Sequence, residues 1–252
     1  MIDCKSLADN ILNGITGHGC LAVISVGSDP ASQSYIKGKK KDCERVGFEF
    51  LHFHYEEDVS LETLLNIINV LNNDDTVTGI IVQLPLPKNL DADMLCQCIA
   101  REKDVDGFRP DSPFKPCTPE GIVHILEHEL GELRSKRAVI VGRGKLVGKP
   151  LMQMLLDKNM TVCVCHSHTA PLDLQDLSYS AEAVIVATGQ PQRFVLPMVH
   201  PNTVVIDCGI HRTEEGKLVG DVKSANTDRI TPVPGGVGLL TRAMLMKHVE
   251  RK

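Results

Sequence analysis

Ser32, Tyr35 and Lys39 recur at spacings of three and four residues, which places them on one stripe of any helix that contains them. Tyr35 offers a ring to stack against and a hydroxyl. Lys39 offers a proton donor whose pKa falls readily on burial or beside another cation. On spacing alone a solvated basic face is the stronger reading, because Lys37, Lys40 and Lys41 accompany the stripe. Gln83 ends the apolar run Ile80-Ile81-Val82 and precedes Leu84-Pro85. A polar amide there needs a partner, and the carboxyl ends of strands are where open α/β sheets bind ligands. Asp104 and Asp106 flank Val105 just after a helical stretch. They can cap a turn, which is the commoner use, or bind a donor-rich ligand. The run Pro232-Val233-Pro234-Gly235-Gly236-Val237-Gly238 lets backbone approach a ligand closely, or serves only as a stiff turn.

A second constellation is Gly142-Arg143-Gly144-Lys145-Leu146-Val147-Gly148, which follows the apolar run Ala138–Val141 and precedes a helical pattern. The glycines allow a tight turn and close approach of backbone to a pyrophosphate, and the helix start supplies amide hydrogens and a positive dipole end. The third glycine comes one residue later than in Gly-x-Gly-x-x-Gly, so the strand before and the helix after carry much of the signal. The next strand ends in Cys165-His166-Ser167-His168-Thr169 without the carboxylate that holds an NAD ribose. Arg143, Ser167 and His168 are candidates for a 2′-phosphate instead, which favours NADP over NAD.

Two other patterns point less far. His124-Ile125-Leu126-Glu127-His128 matches the His-x-x-Glu-His of inverted zinc peptidases, but no third ligand marks itself nearby and the glycine turn goes unexplained. No metal is expected. His52 and His54 alternate with Phe53 and Tyr55 on a strand, so they share a sheet face and read as packing residues. The nine cysteines include no Cys-x-x-Cys pair and read as small buried hydrophobes in a reducing compartment.

The elements that must position these residues alternate along the chain. Strands are predicted at Cys20–Val26, Phe48–Tyr55 and Val77–Leu84, with helices over Ala31–Val46, Leu61–Leu71 and Asp91–Ala100. A Pro-rich loop, Arg109–Pro119, marks a boundary, and a helix follows over Glu120–Leu130, capped by Thr118 with Pro119 at its first position. Strands at Ala138–Val141, Thr161–Cys165, Ala183–Ala187 and Thr203–Asp207 then surround a helix over Val147–Leu156, and a helix over Leu239–Val249 ends the chain. The 252 residues, 42% hydrophobic and 23% charged, suit one large or two modest globular domains. Tryptophan is absent, so aliphatic side chains fill the core. A net charge of −5 gives no bulk attraction to nucleic acid or anionic membrane, and no apolar run is long enough to span a bilayer. The first residues lack the basic-then-apolar layout of a secretory signal, so a cytoplasmic protein is expected.

These segments together resemble the methylenetetrahydrofolate dehydrogenase/cyclohydrolase family, from about Leu21 to Met246. Ser32-Gln33-Ser34-Tyr35-Ile36-Lys37-Gly38-Lys39 is similar to its Ser-x-x-Tyr-x-x-x-Lys helix, and Val82–Pro87 to its Val-Gln-Leu-Pro-Leu-Pro strand end. Lys103–Phe108, Pro116–Gly121, Ala187–Pro191, Ile206–Ile210 and Pro232–Gly238 also match its signatures. The resemblance implies two α/β domains, each with a mainly parallel sheet flanked by helices. Residues 1–119 with 238–252 would form a folate-binding catalytic domain and 120–237 a Rossmann-type NADP domain, with a folate cleft between them. It implies oxidation of 5,10-methylenetetrahydrofolate with NADP, then hydrolysis of the methenyl product to 10-formyltetrahydrofolate, in one-carbon metabolism serving purine, methionine and histidine biosynthesis.

By the same resemblance Lys39 is the main proton-transfer residue, Gln83 tunes it, Tyr35 packs on the folate and Asp106 grips the pterin. Ser32, Leu84, Pro85, Gly235 and Gly236 complete the substrate site. Gly142, Arg143, Gly144, Val147, Gly148, Ser167, His168, Ala187, Thr188, Gly189, Cys208, Gly209 and Ile210 are the implied cofactor site, and a homodimer through the cofactor domains is implied. The chain departs from the family pattern at a short segment before the first strand, a shortened Arg109–Pro116 loop, and at Gly144, His168 and Leu239, where Ser, Arg or Lys, and Pro are usual. Those departures motivate a competing expectation, a folate- or nucleotide-binding protein without efficient catalysis.

Overall fold

The computed structural model describes residues 1–197 and 199–251. The chain divides into two compact units. One comprises Asp9–Cys117 and the stretch from Arg242 onward; the other comprises Met1–Ala8 and Thr118–Thr241.

The first unit is built on three parallel strands, β1 (Cys20–Val26), β2 (Glu49–Tyr55) and β3 (Gly79–Val82), in the order β2-β1-β3. α1 (Cys4–Asn13) precedes β1. The crossovers are α2 (Pro30–Val46) and α3 (Leu61–Asn72). Every residue of β1 and β3 is buried, as befits parallel strands covered on both faces. Ala22, Ile24 and Val82 face a core with Leu64, Ile68 and Leu95. Alternation along the strand therefore turns Ser25 to the opposite face. α2 begins where Asp29 accepts a hydrogen bond from the Ser32 amide at 2.7 Å, with Pro30 at its first turn. It ends at Gly47, whose φ of 76° only glycine adopts freely, and Phe48 N–H returns to the Cys43 carbonyl at 2.8 Å.

The second unit carries α5 (Cys117–Leu130) and the parallel strands β4 (Arg137–Val141), β5 (Thr161–Cys165), β6 (Ala183–Val186) and β8 (Val204–Asp207), in the order β5-β4-β6-β8. α6 (Gly148–Asp157) joins β4 to β5, and α7 (Pro171–Tyr179) joins β5 to β6. The chain goes from β4 to β5 on one side, then to β6 on the other. The reversal opens a crevice beyond the carboxyl ends of β4 and β6, the usual ligand position in such sheets. Smaller pairs are β7 (Phe194–Leu196) with β11 (Val222–Ala225), parallel, and β9 (His211–Arg212) with β10 (Leu218–Val219), antiparallel. The last helix is α8 (Val237–Val249).

Several expectations need correcting. α1 was not anticipated in the short leading segment; Asp3 caps it by accepting from the Ser6 amide and hydroxyl at 3.0 and 2.7 Å, and Leu7 and Leu12 are buried. The expected strand Val77–Leu84 narrows to Gly79–Val82, and the expected helix Asp91–Ala100 to α4 (Ala92–Gln97), with Asp91 its cap. α5 starts at Cys117, so Thr118 is not its cap; the Thr118 hydroxyl instead lies 3.1 Å from that of Thr241. The units also differ from the division 1–119 with 238–252. Residues 1–8 fall with the second unit, where Ile2 N–H donates to the Ile230 carbonyl at 3.0 Å, and the C-terminal return begins only at Arg242.

Candidate active site and cofactor cavity

Lys39 sits on the buried side of α2, whose inward face also carries Ile36, Gly38, Asp42 and Cys43. The solvated basic face is thus limited to Lys37, Lys40 and Lys41, which are exposed. Lys39 is 7% exposed, and its ammonium donates to Gln83 Oε1 at 2.9 Å. Gln83 stands immediately past β3, where its backbone still pairs with Ile24 of β1, and its amide NH₂ donates to the Leu84 carbonyl at 2.8 Å. Both ends of the amide are therefore spent, and its oxygen is aimed at Lys39. Burial lowers the Lys39 pKa; Asp106 and Cys117 pull the other way, and the positive charge of Arg242 pushes it lower.

Arg242 was not legible in the sequence. It crosses α2 at Gly38, where any Cβ would overlap its guanidinium, and donates to Asp42 at 2.7 Å. Tyr35 is partly buried, and burial raises its pKa. Ser32 Oγ donates to the Leu84 carbonyl at 3.3 Å, tying the start of α2 to the segment holding Gln83, Leu84 and Pro85. The paired aspartates separate in role. Asp104 is 1% exposed and accepts from the amides of Phe108 and Arg109 at 3.3 and 2.9 Å, so it shapes the turn. Asp106 is partly exposed, and its charge acts on Lys39.

His52 and His54 do more than pack. Ser25 Oγ lies 2.8 Å from His52 Nε2 and 3.2 Å from His54 Nδ1, and all three line a cavity of about 490 Å³ that Gln83 and Ser32 also reach. Burial, then the neighbouring His54, lower the His52 pKa. Among the described residues no group of three His, Cys, Asp or Glu is placed to hold a metal ion.

The second unit holds a separate cavity of about 540 Å³ beyond the ends of β4 and β6. Gly142, Arg143, Gly144, Ser167, Ala187 and Thr188 line it, and these are six of the thirteen sequence candidates. Gly142 is required there: its φ is 117°, and a Cβ would overlap the Ala187 carbonyl oxygen. Gly148 is needed one layer below, where a Cβ would overlap the Gly142 carbonyl. Val147 precedes α6 without a side-chain cap. His168 is exposed and outside the lining; its amide donates to His166 Nδ1 at 3.2 Å, and His166 lines the cavity in its place. Gly189, Cys208, Gly209 and Ile210 also lie outside the lining. Burial raises the Cys208 thiol pKa well above its usual range. Gly235 is exposed and Gly236 buried, both in the second unit.

Residues outside the sequence candidates also line it, among them Gln190, Arg193 and Phe194. Gln190 Oε1 is buried without a hydrogen-bond partner, an orphaned acceptor at the cavity. Arg143 and Arg193 bring two cations to the lining, Ser167 a hydroxyl, and the glycine turn bare backbone. That donor set fits a phosphorylated dinucleotide, with the cations and Ser167 suited to a 2′-phosphate.

The chain is similar to known proteins over most of its length. The family model described as the tetrahydrofolate dehydrogenase/cyclohydrolase catalytic domain matches residues 2–106, and that of its NAD(P)-binding domain matches residues 116–252. The bifunctional protein FolD of Agathobacter rectalis is 46% identical over 243 residues, covering 91% of this chain and 86% of that protein. The crystal structure of the Campylobacter jejuni bifunctional FolD methylenetetrahydrofolate dehydrogenase/cyclohydrolase superposes with a TM-score of 0.87 at 42% identity, covering 98% of this chain and 95% of that one. The Trypanosoma brucei enzyme, solved with NADP and an inhibitor, gives 0.89 at 29% identity, covering 99% and 95%.

Proposed function

The chain belongs to the tetrahydrofolate dehydrogenase/cyclohydrolase family, and on that premise we propose that the buried Lys39–Gln83 pair is the proton-handling centre of its two reactions. The protein oxidises 5,10-methylenetetrahydrofolate to 5,10-methenyltetrahydrofolate with NADP and hydrolyses that product to 10-formyltetrahydrofolate. NADP, when bound, supplies the hydride acceptor.

The 2.9 Å bond between Lys39 Nζ and Gln83 Oε1, in a site that disfavours a charged amine, carries this reading. Oxidation leaves a positive charge spread over the one-carbon unit and two nitrogens. A cation near Lys39 favours the neutral amine further, so Lys39 can take a proton from the water that attacks the methenyl carbon. Gln83 keeps the amine aimed, because its own NH₂ is anchored on Leu84. Tyr35 stacks on the folate, and Asp106 accepts from the donor edge of the pterin. Leu84 and Pro85, on the segment that Ser32 ties to α2, supply further substrate contacts. In the second unit Arg143 and Ser167 would hold the 2′-phosphate, and the Gly142 turn would leave room for the pyrophosphate.

The working protein is a cytoplasmic homodimer. Leu172, Tyr179 and Val195 of the second unit, 74%, 57% and 53% exposed, support an apolar contact between copies there. All nine cysteines are free thiols, which suits a reducing compartment. The assay mixes 5,10-methylenetetrahydrofolate with NADP or NAD and follows reduced cofactor and methenyl absorbance together. The expected result is faster reduction of NADP and a methenyl signal that rises and decays. Binding of folate without any reduced cofactor would overturn the reading in favour of a binding protein.

A further inference from the structure

The turn Thr188–Gly189, which follows β6, is the part of the cofactor cavity with the least obvious support. Thr188 lines the cavity, and Gly189 is exposed with φ of 68°. Its donors are held from within the protein. Asp221 Oδ2 accepts from Thr188 N–H at 2.7 Å, from Thr188 Oγ1 at 2.9 Å and from Gly189 N–H at 2.9 Å. These three donors of the turn are thus engaged within the protein and not free for a cofactor.

Asp221 is itself fixed from three directions. It is fully buried, and its second oxygen, Oδ1, meets His211 Nε2 at 2.7 Å. Its backbone N–H donates to Asp207 Oδ1 at 2.9 Å. Asp207, at the end of β8, also accepts from Gly209 N–H and Val222 N–H, both at 2.9 Å. Two interleaved carboxylates therefore hold the turns after β6 and β8, and a Cβ at Gly209 or Gly220 would overlap one of them. A buried carboxylate needs several donors, and these carboxylates have them.

We infer that Asp221 is a positioning residue for NADP: it holds the Thr188–Gly189 turn in the shape that fits the cofactor, and His211 fixes the orientation of its carboxylate. The inference rests on the reading of this cavity as the NADP site. Three hydrogen bonds converge on one charged oxygen, and charge-assisted bonds are roughly twice as strong as neutral ones. An amide in its place would be a weaker acceptor. It would also point an NH₂ either at the turn's own donors or at His211, which would then have to accept.

The test measures NADP affinity by direct titration, thermal midpoint and KM for both substrates, on the full chain as wild type, Asp221→Asn and His211→Ala. Asp221→Asn is expected to weaken NADP binding by about tenfold or more. His211→Ala is expected to weaken it several-fold, with the larger change for each variant in KM for NADP rather than in kcat. A folded Asp221→Asn protein that binds NADP within about twofold of wild type overturns the inference, even if its thermal midpoint falls, because that outcome makes Asp221 merely structural. If Asp221→Asn does not fold, His211→Ala decides by the same criterion, since it keeps the carboxylate and removes only its clamp. Wild-type protein that fails to bind NADP would overturn the reading of the cavity itself, and the inference with it.

Discussion

Lys39 and Asp221 are both buried ionisable groups, yet they are held in opposite ways. Among the described residues Lys39 has one hydrogen-bond acceptor, Gln83, and burial presses it toward the neutral amine. Asp221 has Thr188, Gly189 and His211 around its two oxygens. An under-solvated amine is poised to exchange a proton; a carboxylate saturated with donors is poised to hold backbone still. On the proposed reading, the first unit places reactivity where polar partners are few. The second places rigidity where they are many.

Removing the amine should break the comparison most visibly. Lys39→Met keeps length and helix propensity. Methenyl hydrolysis should fall by about 10² or more, the lower range for a proton-transfer group, with NADP affinity unchanged. Stopped assays of hydrolysis beside cofactor titration on the same folded variant check it, and near-normal hydrolysis would remove Lys39 from the mechanism. Next comes Gly142→Ala. The added Cβ meets the Ala187 carbonyl at a φ of 117°, so a loss of roughly 1–3 kcal/mol is expected from strain alone. Denaturant unfolding measures it, and Gly144→Ala, which opens onto empty space, is the matched control near zero.

Smaller effects sharpen the contrast. Arg143→Ala should weaken NADP about tenfold, roughly 1.4 kcal/mol, and NAD far less, as read by the two cofactor affinities. Equal losses would show that Arg143 does not meet the 2′-phosphate. The last effect is the pH dependence of stability. The folded-state pKa of Lys39 lies below its unfolded value, so between the two the unfolded chain binds more protons and stability rises with pH. The stability difference between Lys39→Met and wild type should therefore shift in favour of wild type as pH climbs through that window toward the ordinary lysine value. Unfolding curves at several alkaline pH values check the slope. A constant difference would mean that the amine is not held toward its neutral form.

Much of this was legible from residue order. The parallel strands, α2 with its Asp29–Pro30 start, and the glycine turn after β4 follow from local pattern, because strand burial and helix caps depend on near neighbours. The Lys39–Gln83 partnership was anticipated only through family resemblance, since 44 residues separate the two. Arg242, 200 residues from Asp42, carried no local signal at all. His168 was expected at the cofactor; it lies outside the lining of the second unit's cavity, which His166 reaches, because the direction of a side chain beyond a strand end is set by the loop that follows. His52 and His54 share a face, as alternation requires, but their joint hold on Ser25 depends on the register of β1 against β2.

The order of residues by itself determined most of the parallel strands and the longer helices, where glycine must stand, and that one strand end lacks the acid an NAD ribose would need. Those are consequences of backbone sterics, hydrophobic period and residue chemistry within about a turn or a strand. Only the tertiary structure decided which polar groups are buried together. Burial made Lys39 a base candidate while Lys37, Lys40 and Lys41 stayed solvated on the same helix. It made Asp104 a turn former and left Asp106 accessible, and it turned Asp221 into the support of a turn 32 residues away in sequence. Desolvation and hydrogen-bond saturation are properties of a site in space, and they arise when strands and helices distant in sequence close around it.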